Sequence, residues 1–219
     1  MGALIYFLIS HMQFWAAAVI AYFCGCFNGA VIVSKYILRD DVRTHGSGNA
    51  GSTNMLRNYG KLPAVATILG DMAKVAVAIL LVRLLVGNEL YAQQTIFIKS
   101  FAGLFCVLGH IFPCFFRFKG GKGVATCGGM VFMIDWRIAL ILLAVFFVAV
   151  LITKWVSLGS ILMAILYPVL MGLFYKSVPS TLISVVFAAI VLVAHRENIK
   201  RILNGTESKI TVGGKNKKE

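Results

Sequence analysis

Between Trp155 and Tyr175 the chain carries no charged residue, and after Lys176 the same holds from Ser177 to Ala194. A helix rises about 1.5 Å per residue, so crossing a hydrocarbon core of about 30 Å takes ~20 apolar residues. Two such runs in succession therefore read as membrane spans. The rest of the chain agrees: 59% of its residues are hydrophobic and 13% charged, with a mean hydropathy of +0.87. A soluble domain usually carries about 25% charged residues, and a globular core has no use for that much apolar surface.

Apolar segments near 12–36, 62–86, 96–115, 123–135, 137–153, 157–175 and 178–195 predict an all-α integral membrane protein. The expected architecture is a polytopic bundle of seven transmembrane helices, one membrane domain over 1–219 with no internal repeat and a frayed tail at 210–219. The fourth segment is the weakest, because its apolar part from Val124 to Ile134 reaches only about 16 Å at helical rise. Six crossings and one short or re-entrant helix are the alternative, workable where protein shields the helix ends. Met1-Gly2-Ala3 lacks the basic region of a signal peptide, and the first apolar stretch runs on to Val33, as in a retained first helix.

The connections 39–61, 117–122, 154 and 196–218 hold 4, 3, 1 and 7 Lys and Arg, against 4 on the opposite side (Arg83, Lys99, Arg137, Lys176). Positive residues mark the cytoplasmic side, so the N-terminus is expected outside and the C-terminus in the cytoplasm. The formal net charge is +13. Nucleic-acid binding would need basic residues interleaved with aromatics on a soluble module, and no such module exists. Membrane topology and an anionic substrate both remain as explanations. Of the five cysteines, Cys24 and Cys26 form a C-x-C pair. All five lie in or beside apolar runs and read as free thiols behaving as small apolar residues rather than as a metal site.

Four elements carry chemistry. The first loop, His45-Gly46-Ser47-Gly48-Asn49-Ala50-Gly51-Ser52-Thr53-Asn54 followed by Arg57, combines glycines that admit close backbone approach with hydroxyl, amide and guanidinium donors. These are the ingredients of an anion nest at a helix N-terminus, although the P-loop pattern is absent. The second, Lys119-Gly120-Gly121-Lys122-Gly123, sets two ammonium groups among exposed amides before a helix. The third, Val156-Ser157-Leu158-Gly159-Ser160-Ile161, places serines at i and i+3, and helix capping is the expected role. In the fourth, running from His195 to Glu207, His195 and Asn198 stand three apart and share a helical face. A histidine at the membrane boundary is either a snorkelling interfacial residue or a general base, with its unperturbed pKa near 6.5. Asp71 and Lys74 stand about 14 Å along a span from Leu62; charges so deep are costly and are expected to pair inside the bundle and organise it.

Taken in order, H-G-S-G-N-x-G-x-T-N-x-x-R, G-H-x-F-P-x-F-x-x-F-K-G-G-K-G-V-A-T, V-S-L-G-S-I and H-R-E-N-I-x-R-I-L-N-G-T-E resemble the motifs of the bacterial acyl-phosphate glycerol-3-phosphate acyltransferases, the PlsY family. The resemblance runs from about Tyr22 to Lys209. It implies a seven-helix bundle in the inner membrane with a site open to the cytoplasm. It further implies acyl transfer from a fatty acyl phosphate to the sn-1 hydroxyl of glycerol 3-phosphate, giving lysophosphatidic acid and phosphate. Carried onto this chain, it makes Ser47, Asn49, Gly51, Thr53, Asn54 and Arg57 substrate-contacting, with Lys119, Gly121 and Lys122, then Ser157 or Ser160, then His195 and Asn198. Ser47, Lys122, His195 and Asn198 take the catalytic roles among these. Ala50, Ser52 and Val75 depart from the family pattern without removing a polar contact.

No metal or cofactor is expected. The implied partners are the two substrates and membrane lipids, with an association with the enzyme that makes the acyl phosphate as a further expectation. An acyl phosphate is already activated, so positioning and charge neutralisation suffice, consistent with the lack of a nucleophilic triad. Acyl-CoA-dependent enzymes use H-x-x-x-x-D, whereas Ala16, Ala50, Phe115 and Lys200 stand five after the four histidines. The proton acceptor is left open between His195 and the donor phosphate. A transporter of a phosphorylated solute is the alternative from another class, although a carrier places its site near the midplane.

Overall fold

The structure is a computed structural model that describes residues 2–210, with side chains described from Met12 onward. All of the expected frayed tail except Ile210 lies outside the described residues. Among the described residues every regular element is helical.

Helix α1 (Gly2–Cys26) breaks at Phe27 and Asn28, and Asn28 restarts the chain as α2 (Gly29–Ile32) by accepting the Val31 amide on its side chain. A π-helical turn (Val33–Ile37) ends that segment. Then come α3 (Ser52–Tyr59), α4 (Lys61–Val86), α5 (Asn88–Gln93) and α6 (Thr95–Ile111). After the second basic loop follow α7 (Val124–Ile134), α8 (Trp136–Thr153), α9 (Val156–Tyr175), α10 (Val178–Ala194) and α11 (Arg196–Leu203). Asp135 starts α8 as an N-cap, accepting the Arg137 amide at 2.8 Å; such caps satisfy an otherwise orphaned donor.

Every expected apolar segment is helical. Met12–Ile37, Lys61–Val86, Thr95–Phe116, Trp136–Thr153 and Val156–Tyr175 are long and apolar enough to cross a membrane, which makes five. The pair α10 and α11, bent by 62°, brings the number to six when it is counted as one broken span. At 11 residues α7 is shorter than a span, as its apolar count suggested. Large apolar side chains such as Leu151, Ile152 and Leu173 stand exposed on the outside of the bundle, a surface that suits lipid contact.

Helix α1 packs against α6 and α4, α7 against α4 and α6, and α9 against α8 and α10. The α1–α6 contact is a close backbone approach. A Cβ on Gly25 would lie 2.0 Å from the Cys106 carbonyl oxygen, and one on Gly109 2.0 Å from that of Tyr22. Small residues of this kind let helices meet where lipid supplies no hydrophobic drive. The core joins Ala21, Ile79, Val107, Met130, Ile138, Tyr167 and Phe187 from seven different helices.

The Asp71–Lys74 pair lies inside the bundle as expected, and it recruits a third group. Lys74 Nζ donates to Asp71 Oδ1 at 2.8 Å, to His110 Nδ1 at 2.7 Å and to the Phe27 carbonyl at 3.2 Å. Its three protons are thereby used, and His110 carries its own proton on Nε2. Asp71 Oδ1 also accepts the Gly29 amide at 3.1 Å, and Asn28 Nδ2 donates to the Ala50 carbonyl at 3.3 Å. The cluster therefore ties the break in α1 to α4, α6 and the first polar loop.

Candidate active site

The four polar elements, far apart in the chain, meet around one cavity of about 1000 Å³. Its lining combines polar residues of the loops and helix ends with apolar side chains of the helices, and it also takes in the buried Asp71 and His110. Residues 46–49 and 51–54 with Arg57, then Lys122 and Gly123, then Ser157 and Ser160, and finally His195, Asn198 and Arg201 all line it.

The first loop is braced from within. Buried Asn54 donates to the Val42 and His45 carbonyls at 3.0 Å each and accepts the Ser47 amide at 3.2 Å. Its amide group thus holds the loop in shape. No side chain caps α3, and Gly51, Ser52 and Thr53 at its start line the cavity. Ser47 is exposed at the rim, whereas Asn49 also lines a neighbouring crevice. Arg57 Nη2 donates to the Ser208 carbonyl at 3.2 Å.

The second loop is held against the first. Arg43, paired with Asp41 at 2.7 Å, donates to the Phe116 and Lys119 carbonyls at 3.1 and 3.4 Å. The Gly121 amide donates to the His110 carbonyl at 3.2 Å. Gly121 itself is a close-approach position: a Cβ there would lie 2.3 Å from His110 Nε2 and 2.5 Å from the Ala50 oxygen. Gly123, with φ +81°, turns the chain into α7 in the left-handed region that glycine adopts freely. The two lysines part company here. Lys122 lines the cavity, while Lys119 is exposed and outside its lining.

Glu207 is the centre of the third and fourth elements. Its Oε1 accepts from Ser157 Oγ at 2.8 Å and from Asn198 Nδ2 at 2.7 Å, and its Oε2 from Arg201 Nε at 2.8 Å. Lys122 Nζ donates to Asn198 Oδ1, so one chain of contacts runs from the second loop through Asn198 to the carboxylate. The capping role expected of the serines is not what the structure holds. Trp155 is the N-cap of α9 and makes no side-chain bond, Ser157 turns to Glu207, and Ser160 Oγ donates to the Val156 carbonyl at 3.0 Å. Once the chain after α11 folds back, a carboxylate 50 residues away outcompetes the local amides.

Electrostatics follow from this packing. Burial pushes the Lys122 ammonium down to about 8, and the positive charge of Arg201 adds to that, against the opposing charge of Glu207. Burial works against the charged form of Glu207, yet the hydrogen bonds from Ser157, Arg201 and Asn198 together leave its pKa lowered. Both groups are thus ionised near neutral pH. His195 sits at the joint between α10 and α11 rather than within one helix, and it is buried together with Asn198. Its Nδ1 meets the Val191 carbonyl at 2.8 Å, which places the proton on Nδ1 and makes Nε2 the acceptor nitrogen.

Three contributors were not singled out from the sequence: Glu207, Arg201 and His110. Glu207 and Arg201 stood inside the fourth motif, and His110 inside the second, but no spacing rule marks a residue whose partners come from other helices. Among the described residues all five cysteines are free, with Cys26 Sγ and Cys114 Sγ 3.7 Å apart.

Residues 15–205 match the family model described as glycerol-3-phosphate acyltransferase. The chain is 40% identical over 193 residues to the glycerol-3-phosphate acyltransferase of Thermoanaerobacter pseudethanolicus, covering 88% of this chain and 93% of that one. It is 42% identical over 193 residues to the Clostridioides difficile protein of the same name, with the same coverage. Among solved structures it resembles PlsY (YgiH), an integral membrane glycerol 3-phosphate acyltransferase, in its glycerol 3-phosphate form. That likeness has a TM-score of 0.81 and 32% identity, covering 90% of this chain and 96% of that one. The lysophosphatidic acid form of the same protein matches with a TM-score of 0.78.

Proposed function

The chain belongs to the glycerol-3-phosphate acyltransferase family of phospholipid biosynthesis, and from that premise we propose that it transfers a fatty acyl group from an acyl phosphate to the sn-1 hydroxyl of glycerol 3-phosphate. Lysophosphatidic acid and inorganic phosphate are the products. The observation that carries this reading is that one cavity is lined both by basic and polar residues from all four polar elements and by apolar helix side chains. Both substrates bring a phosphate for the basic residues, and only the donor brings a chain for the apolar ones. A relative solved in both a glycerol 3-phosphate form and a lysophosphatidic acid form supports the same pairing.

Lys122, Arg57 and the open start of α3 hold the phosphates, with Ser47, Asn49 and Thr53 adding donors around them. The acyl carbonyl carbon then lies between these residues and the apolar side chains. Attack by the hydroxyl expels phosphate, a stable leaving group, so positioning and neutralisation of developing charge carry the catalysis. Asn198 orients the Lys122 ammonium, and Glu207 with Ser157 orients Asn198. The proton from the hydroxyl passes to His195 Nε2 or to the donor phosphate. His195→Ala separates the two: turnover close to wild type rules out His195 as the essential base.

Seven crossings, with the N-terminus outside and the C-terminus in the cytoplasm of a bacterial inner membrane, complete the reading. The asymmetry of Lys and Arg between the two sets of connections and the meeting of all four motifs at one cavity support it.

The deciding experiment measures phosphate release by detergent-purified protein given glycerol 3-phosphate and palmitoyl phosphate, with palmitoyl-CoA as parallel donor. Release that needs both substrates, forms lysophosphatidic acid, is absent with the CoA ester and is abolished by Lys122→Ala is the expected outcome. Turnover with the CoA ester alone overturns the donor assignment.

A further inference from the structure

Helix α7 presents a stripe to the cavity: Val124, then Gly128, then Phe132, each four residues on, with Cys127 and Val131 beside them. Such spacing keeps one helical face. Helix α8 faces it with Ala139, Leu140, Leu143 and Phe146. The two stripes are apolar and line the same cavity as Lys122 and Ser157.

Gly128 interrupts the α7 stripe, and nothing in the fold requires it. It lies inside a regular helix, with no positive φ. A Cβ added there would meet no atom within 4 Å, whereas one on the adjacent Gly129 would lie 2.9 Å from the Met72 backbone. Gly129 is therefore explained by helix packing, and Gly128 is not. A glycine inside a helix is less favourable than alanine by roughly 1 kcal/mol. What the missing side chain leaves is open space in the cavity, one helical turn beyond Val124, about 6 Å along the axis.

We infer that Gly128 is a specificity-determining residue for acyl-chain length: its missing side chain lets a long fatty chain, headed by the group held at Lys122, pass between α7 and α8. This rests on the acyl-transfer reading. A side chain at 128 narrows the cavity at that point, excluding long chains while leaving short ones and the phosphate contacts intact. Discrimination of this size by a pocket wall is typically worth roughly 10- to 200-fold.

The test compares Gly128→Leu and Gly128→Ala with wild type, using palmitoyl phosphate and hexanoyl phosphate as donors. Gly128→Leu is expected to lose roughly tenfold or more of the palmitoyl-to-hexanoyl ratio in kcat/KM, with Gly128→Ala shifting it the same way by less. Gly128→Ala adds only an atom that meets nothing, so it carries the test if the leucine variant does not fold. Gly70→Leu on α4, also open but outside the cavity lining, is expected to leave the ratio unchanged. An unchanged ratio in the folded Gly128 variants overturns the inference. If wild type uses no acyl phosphate, the donor reading fails and the role of Gly128 is read by thermal stabilisation with palmitoyl and hexanoyl lysophosphatidic acid. Selective loss of the palmitoyl shift in the variants upholds the inference. Equal shifts in wild type and variants, or none in wild type, overturn it.

Discussion

In the proposed reaction Lys122 is the phosphate-binding cation, and its environment sets the pH at which its charge is lost. Burial, with Arg201 adding repulsion and Glu207 opposing it, holds the ammonium near 8. A lysine is charged below its pKa. With a value of about 8, roughly nine-tenths of Lys122 is protonated at pH 7 and roughly one-tenth at pH 9. If the ammonium binds substrate phosphate, kcat/KM for glycerol 3-phosphate falls about tenfold between those two values, because this parameter reports the free enzyme. Glu207→Gln removes the charge that supports the ammonium, so the falling limb moves to lower pH. Lys122→Arg keeps its cation throughout this range; its alkaline limb disappears, while its ceiling drops because a guanidinium cannot take the place of an ammonium against Asn198. An acid limb from the second ionisation of the substrate phosphate, near pH 6, is common to all variants. The assay is phosphate release at subsaturating glycerol 3-phosphate from pH 6 to 9.5 in one detergent and at one ionic strength. A wild-type profile flat to pH 9.5, or matching limbs in wild type and Lys122→Arg, refutes the assignment of Lys122 as the phosphate-binding cation.

Further expectations concern the frame around the site. Lys74→Met leaves buried Asp71 without its cation and is expected to destabilise the protein by about 3–5 kcal/mol, read as a lowered thermal midpoint in detergent. Adding Asp71→Asn is expected to restore part of that loss. Gly109→Leu places a Cβ 2.0 Å from the Tyr22 carbonyl oxygen; the α1–α6 contact then separates, and the variant is recovered as aggregate in size-exclusion chromatography. Ser157→Ala removes one of three donors to Glu207. A hydrogen bond to a charged group contributes about 1.5 kcal/mol to stability, so the thermal midpoint is expected to fall, and kcat/KM to fall by less than about tenfold as Asn198 loses its orientation.

Much of this protein was legible in the order of its residues. Uncharged runs such as 157–175 disclose membrane helices because the bilayer rewards each apolar residue independently of its neighbours, and all the expected segments are helical. The four motifs were legible for a different reason: glycines, hydroxyls and cations crowded into short loops are costly without a ligand, and their order resembled one family. That family, now matched over residues 15–205, also sets aside the carrier that charge alone left open. The short α7 was visible in its count of apolar residues, although not its place in the cavity lining.

What only the tertiary structure decided is which side chains meet. Asn54, expected to contact substrate, lines the cavity and also braces its own loop. Lys119 and Lys122 looked equivalent in K-G-G-K-G, yet only Lys122 reaches the cavity. Ser157 had the position of a helix cap and instead binds Glu207, and His110 joins Lys74 from 36 residues away. Periodicity and composition describe a residue's own segment. A hydrogen bond between helices depends on the path of the whole chain, and that path is settled by close contacts such as Gly25 on Cys106 and Gly109 on Tyr22, whose partners lie some 80 to 90 residues distant.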